Sequence, residues 1–89
     1  MGAEPSTMPK PERKAVILDY FASNEVMLTS GMTHRQLIEY RSVTFSLRTT
    51  KRMLKELVAD GLMKQVDRGA NPLYTITDDG RAWLAEFER

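Results

Sequence analysis

The sequence predicts an α+β fold, mostly helical, in which a three-helix core precedes a β-hairpin and a C-terminal helix closes the chain. Three observations carry this. Apolar residues recur at helical spacing along most of the chain up to Asp60. The run Leu73-Tyr74-Thr75-Ile76-Thr77 has the β-branched and aromatic composition of a strand, and Arg68-Gly69-Ala70-Asn71-Pro72 before it is a turn joining it to a second strand over residues 63–67. Helix stop and start signals bracket that hairpin, Gly61 on one side and Thr77 on the other.

Taken in order, residues 1–10 read as a flexible tail, with Gly2, Pro5, Ser6, Thr7 and Pro9, and residues 11–89 as the folded domain. The first six residues formally fit an N-myristoylation pattern, but one acyl chain anchors weakly and no second anchor follows, so no membrane partner is expected. Helix 1 is expected from Pro11 to about Ser23, with Pro11 at its first position and Glu12 at the positive end of its dipole. Ala15-Val16-Ile17-Leu18 and Tyr20-Phe21-Ala22 make it apolar nearly all round, which in so small a protein points to cover by a partner chain. Residues 24–32 read as a loop with a short strand at Val26–Leu28. Helix 2 is expected to start at Thr33, which forms a capping box with Gln36, and to end near Arg41 with Leu37, Ile38 and Tyr40 on its apolar side. After a turn at Ser42–Phe45, Ser46 caps helix 3, which runs to about Asp60 on a stripe of Leu47, Thr50, Leu54, Leu57 and Val58. Gly61 ends it as a left-handed cap, and Leu62 folds back onto Leu57. Beyond the hairpin, Thr77 caps a last helix bearing Ala82, Trp83, Leu84 and Phe87.

Composition narrows the function. The 89 residues make one domain, and a chain of this size buries only about 60% of its unfolded surface. Without cysteine there is no disulfide and no thiolate metal site, and one histidine rules out a multi-histidine site. No cofactor is expected. The N-terminus lacks the apolar segment of a secretory signal, and no apolar run approaches the roughly 20 residues of a membrane span, so the expected location is cytoplasmic, with the nucleoid. Net charge is only +1, but the stretch from His34 to Arg68 carries +4 and the remainder −3. Asymmetry of this kind favours one side facing a polyanion.

Helix 3 is where that charge gains geometry. Reading a major groove takes a helix anchored on one face and polar on the other. Opposite the apolar stripe fall Arg48, Thr49, Arg52, Lys55 and Glu56, with Arg48 and Arg52 one turn apart. Ser46, Arg48, Thr49 and Arg52, in the first two turns, are the expected base readers; Lys51 and Lys55 suit phosphates. At the hairpin, Arg68 is the one base in the tip and Lys64 lies on the strand below, placed for a phosphate or the adjacent minor groove. Thr33 and Arg35 sit at the expected start of helix 2, where backbone N–H groups favour anions, and His34 beside them is foremost an exposed side chain. Trp83 and Phe87, four apart, form a stripe suited to the core or to a dimer seam; with Ile17, Tyr20 and Phe21 they make up the expected homodimer interface. The six methionines read as core filler. Asp78 and Asp79 point apart on a helix start and have no base or nucleophile beside them, so they read as dipole-complementing charges and the chain as a non-enzyme.

The segments Leu47-Arg48-Thr49-Thr50 with Leu54 and Leu57, Gly61-Leu62-Met63, Arg68-Gly69, Tyr74-Thr75-Ile76-Thr77 and Gly80 resemble the winged helix-turn-helix family, over about residues 12–88. MarR-like, PadR-like and small archaeal or phage regulators share this pattern. The resemblance implies double-stranded DNA contact by helix 3 and by the hairpin, the family's wing, and a homodimer. The turn Arg41-Ser42-Val43-Thr44-Phe45 departs from the family in having no glycine. Two other readings stand beside a transcription regulator: a winged-helix module binding protein, in which the basic residues of helix 3 would be lost, and a replication-associated nucleic-acid-binding role. There is no room for a ligand domain, and no small-molecule effector site is evident.

Overall fold

α1 (Lys10–Asn24) is the element around which the others assemble: α2 (Ser30–Arg41), α3 (Leu47–Ala59), β2 (Leu73–Ile76) and α4 (Asp78–Phe87) all pack against it, and β1 (Met63–Val66) joins through β2 and α3. This is a computed structural model, and it describes residues 9–67 and 70–89. Class and element order agree with the sequence reading. The apolar surround of α1 is satisfied by its own chain: Ala15, Ile17, Leu18, Tyr20 and Phe21 are all buried within the protomer. The expectation that a partner chain covers part of this helix is therefore corrected for these residues.

α2 begins three residues earlier than the capping-box reading placed it. Thr29, extended at φ −71°, is the cap, and its Oγ1 accepts the N–H of Met32 at 3.2 Å. Thr33 thus lies inside the helix, fully buried, and its hydroxyl donates to the Thr29 carbonyl at 2.8 Å. Gln36 makes no box; its Oε1 accepts from the Tyr20 hydroxyl at 2.7 Å and ties α2 to α1. The turn that lacks glycine is made by Ser42, held left-handed at φ 54° and ψ 35°. A side chain there costs about 1–2 kcal/mol, which burial of Val43 and Phe45 immediately after it offsets.

α3 is capped as expected, with the Ser46 Oγ accepting from the Thr49 N–H at 3.1 Å. Its buried face consists of Thr50, Met53, Leu54 and Leu57. Those positions follow the i, i+3, i+4, i+7 rule, whereas the expected stripe took Leu47 in place of Met53. Leu47 is 38% exposed and Met53 has no exposure, so the buried face lies further round the helix than expected. At the other end Gly61, at φ 80°, donates to Val58 O at 3.0 Å and Leu62 to Leu57 O at 2.9 Å. That pair of bonds is the Schellman closure.

β1 and β2 are antiparallel, with Met63 opposite Ile76 and Val66 opposite Leu73. Leu28 exchanges two backbone bonds with Tyr74, so the expected short strand at residues 26–28 survives as a single bridge on the far edge of β2. Thr77 then holds three elements at once. Its hydroxyl donates to Gly61 O at 2.7 Å and accepts the Gly80 N–H at 3.0 Å, while its own N–H bonds Leu62 O at 3.1 Å. Gly80 is required by this closeness, because a Cβ there would collide with Leu62 O and Ile76 Cγ1.

Two predictions follow from these placements. Gly80→Ala is expected to destabilise by about 2 kcal/mol, the ordinary cost of overpacking, despite alanine's better helix propensity. Gly31→Ala, where a Cβ meets nothing within 4 Å, is expected to raise stability by about 0.5 kcal/mol; thermal melts of both variants check the pair. Met53→Ala is expected to cost about 2–4 kcal/mol and Leu47→Ala under about 1 kcal/mol, and urea unfolding distinguishes the observed face from the expected one.

Candidate nucleic-acid interface

The outward side of α3 is built by subtraction. With Thr50, Met53, Leu54 and Leu57 turned into the core, successive rotation by about 100° per residue puts Arg48, Arg52 and Lys55 opposite them, with Lys51 to one side and Glu56 to the other. Ser46, Arg48, Lys51, Arg52 and Lys55 are exposed, and Thr49 is half-buried. Among the described residues none of the four cations forms an ion pair.

The acids at the far end of the helix are occupied. Lys10 reaches Glu56 at 3.3 Å and Lys14 reaches Asp60 at 3.1 Å, so the start of α1 neutralises the end of α3. As stability, exposed pairs of this kind contribute about 0.2–1 kcal/mol. Their larger effect is on the field: the carboxylates that would oppose an incoming anion are already paired.

Beside α3, His34 is half-buried, and its Nδ1 lies 3.0 Å from the Thr50 Oγ1. Nothing in the sequence pattern singled out this bond. Arg35 is exposed on α2. Thr33 leaves the anion-facing set: it is fully buried, its hydroxyl is committed to Thr29, and it is not at the helix start. Lys64 is exposed on β1 opposite Thr75, and Asp67 accepts from the Gln65 side chain at 2.9 Å. Arg68 lies outside the described residues.

The expected dimer set divides. Ile17 and Phe21 have no exposed surface and Tyr20 only 7%, so these three are corrected to core residues. Trp83 is half-buried and packs against the core, and Phe87 is 41% exposed; their rings stack at 5.3 Å and 11°. Asp78 and Asp79 occupy the first turn of α4, at its positive end. A shallow hollow of about 270 Å³ between α1 and α2 is lined by Tyr20, Asn24, Gln36, Tyr40 and Arg41. Its one cation, Arg41, is paired with Asp19 at 3.3 Å and sits over the Tyr20 ring. No group of three metal-ligating side chains occurs among the described residues, and none of their helices is long and apolar enough to cross a membrane.

No protein-family model and no curated protein matches this sequence. Solved structures do match in three dimensions. A winged-helix DNA-binding protein from STIV superposes with a TM-score of 0.77 at 13% identity, over 86% of this chain and 84% of that one. A HOP2 structure, described in terms of DNA recognition and protein interaction, gives 0.64 at 16% identity, over 78% of this chain and 100% of that one. PadR of Bacillus subtilis, in complex with operator DNA, gives 0.68 at 19% identity, over 86% of this chain but 46% of its own. With α2, the Ser42 turn and α3 as its helix-turn-helix and β1–β2 as its hairpin, the chain has the winged helix-turn-helix fold.

Proposed function

We propose that the protein binds double-stranded DNA in a sequence-specific way and acts as a transcription regulator, reading the major groove with the helix of residues 46–60 and touching backbone or minor groove with the wing at 68–72. The observation that carries this is the row of four unpaired cations on the outward side of α3. A winged-helix module that binds protein is expected to have lost the basic readers of this helix, and Arg48, Lys51, Arg52 and Lys55 are present. Arg48 and Arg52 are the base readers, with the Ser46 and Thr49 hydroxyls at the helix start. Lys51, Lys55, Arg35, Lys64 and Arg68 take phosphates. The DNA-binding description of the STIV neighbour and the operator complex of PadR support the reading.

The protein acts as a homodimer in this proposal, with the stacked Trp83 and Phe87 of α4 as the seam. A second reading, docking of a protein partner, is favoured by one feature: Met32, Ile38 and Tyr40 are each half or more exposed on α2. It predicts partner binding that survives loss of the α3 cations.

If each protomer neutralises about four phosphates, log K against log salt is expected to slope at about −7 for a dimer; a salt-independent affinity overturns the electrostatic part. Arg52→Ala is expected to cost about 1–3 kcal/mol on a selected site and much less on random DNA, because only base contacts carry sequence information. Arg68→Ala is expected to weaken both alike. Isotherms on both DNAs decide, and an Arg52→Ala protein that keeps every affinity moves the protein-docking reading ahead. For the seam, Phe87→Lys is expected to shift sedimentation from dimer to monomer with the melting temperature of the monomer fold retained.

A further inference from the structure

We infer that His34 is a positioning residue for the reading helix, holding α3 in one rotational setting through Thr50 and Ser46 in its Nδ1-protonated form. This rests on the DNA reading above and adds to it the residue that aims the readers.

The argument starts from what packing leaves undetermined. Leu37 of α2 and Met53, Leu54 and Leu57 of α3 share one core, and burial of this kind is non-directional. The buried stripe sets which face of α3 turns inward, but only coarsely, and the fine rotation is left to directional contacts. A hydrogen bond is directional. Among the described residues, His34 to Thr50 is the single side-chain hydrogen bond between α2 and α3.

The protons in that chain are assigned by counting. The Thr50 Oγ1 lies 3.2 Å from the Ser46 carbonyl, which only accepts, and 3.0 Å from the His34 Nδ1. Thr50 has one hydroxyl proton. Given to Ser46 O, it leaves a lone pair for an Nδ1–H from His34, and both contacts are satisfied. Given to His34, it leaves two oxygens facing each other at 3.2 Å with no proton between them. The first arrangement is favoured, and since Thr50 is fully buried no water replaces either partner. The chain ends on Ser46, which caps α3 and whose side chain accepts the Thr49 N–H. A half-exposed ring on α2 is thereby coupled to the first turn of α3, next to Arg48 and one turn below Arg52.

Small rotations matter here. A turn of α3 by about 10° moves a guanidinium about 6 Å from the axis by about 1 Å, and a recognition contact tolerates about 0.5 Å. Phosphate contacts by flexible lysines absorb such a shift. Loss of the chain is therefore expected to damage discrimination more than total affinity.

The test uses the full chain, a site selected by the wild-type protein from random oligonucleotides, and random-sequence DNA at one salt concentration. Thr50→Val removes the hydroxyl at nearly constant volume, and His34→Ala removes the ring. Each is expected to lower affinity for the selected site about tenfold, the loss of one base-reading contact, with affinity for random DNA changed less than twofold. Thr50→Ser restores the hydroxyl, and His34→Asn puts an amide donor near the Nδ1 position; both are expected within threefold of wild type. Imidazole ¹⁵N spectra of the free protein are expected to show the Nδ1–H tautomer, independently of DNA. An unchanged ratio of selected to random affinity in His34→Ala, an equal loss on both DNAs, or an Nε2–H tautomer overturns the inference. Wild-type protein that binds no DNA overturns the DNA reading itself, and is told apart from failure of the positioning role because in the latter case wild type still selects a site. Should Thr50→Val fail to fold, the His34 pair carries the same comparison.

Discussion

The middle of α1, from Ala15 to Ala22, is apolar on most sides and has to be covered on most sides, and much of this structure is the solution to that problem. α1 cannot lie at the edge of a bundle. α2 and α3 cover it on one side, β2 and α4 on the other, and the short chain length means that every other element is engaged. Because the partners of α1 are used up in covering it, each has one face left over. For α3 that face is cationic. For α4 it includes Phe87, stacked on a Trp83 that packs against the core, and for α2 it is a mixed surface of Arg35, Met32, Ile38 and Tyr40. The surface chemistry of the protein is thus a consequence of how its central helix is buried.

The cover would be loose if the hairpin were free to swing. It is fastened where α3 ends and α4 begins, through Gly61, Leu62, Thr77 and Gly80. The left-handed Gly61 reverses the chain after α3, and Thr77 bonds both to the carbonyl of that glycine and to the first turn of α4. No side chain fits at Gly80, so the helix start presses against Leu62 and Ile76. On its other edge the hairpin is stitched to the α1–α2 loop by Leu28 and by Thr75 donating to Val26 O. The described strands of the hairpin are thus held at their base by Thr77 and along the edge of β2 by Leu28 and Thr75.

Much of this was legible in the sequence because the signals were local. Ser46, Gly61 and Thr77 acted as their residue types predict, and the strand run at residues 73–77 paired as a hairpin with residues 63–66. The errors came where two local signals competed or where the answer was tertiary. Thr29 and Thr33 are both good caps, and the Gln36 that seemed to decide for Thr33 was claimed instead by Tyr20 of α1, sixteen residues away. Leu47 and Met53 both keep the three-and-four spacing of the face formed by Thr50, Leu54 and Leu57; Leu47, as the first residue of α3, has no preceding turn to cover it and stays exposed, while Met53 in the middle of the helix is buried. Ile17, Tyr20 and Phe21 read as a dimer seam because a sequence shows how apolar a helix is without showing how much cover its own chain supplies, and here that cover is complete. The exposure of the α3 cations is readable from period alone. The bond from His34 to Thr50 is not, since it joins two helices whose relative rotation no local pattern encodes.

The distribution of charge follows the same logic of allocation. Within α3 the one acid, Glu56, has Arg52 a turn earlier as a potential partner. Instead Glu56 and Asp60 are drawn to Lys10 and Lys14 at the start of α1. These two bridges are weak as sources of stability, lying at the surface where solvent screens them. What they change is which charges remain. By binding the acids of α3 from outside the helix, they leave its cations unopposed, so that a potential is built from a chain whose net charge is only +1. Focused potential of this kind raises the encounter rate with a polyanion without requiring an overall basic protein. The fold therefore sorts charge between helices, leaving the four cations of α3 without ion pairs among the described residues, and the contact of α1 with the end of α3 performs the sorting.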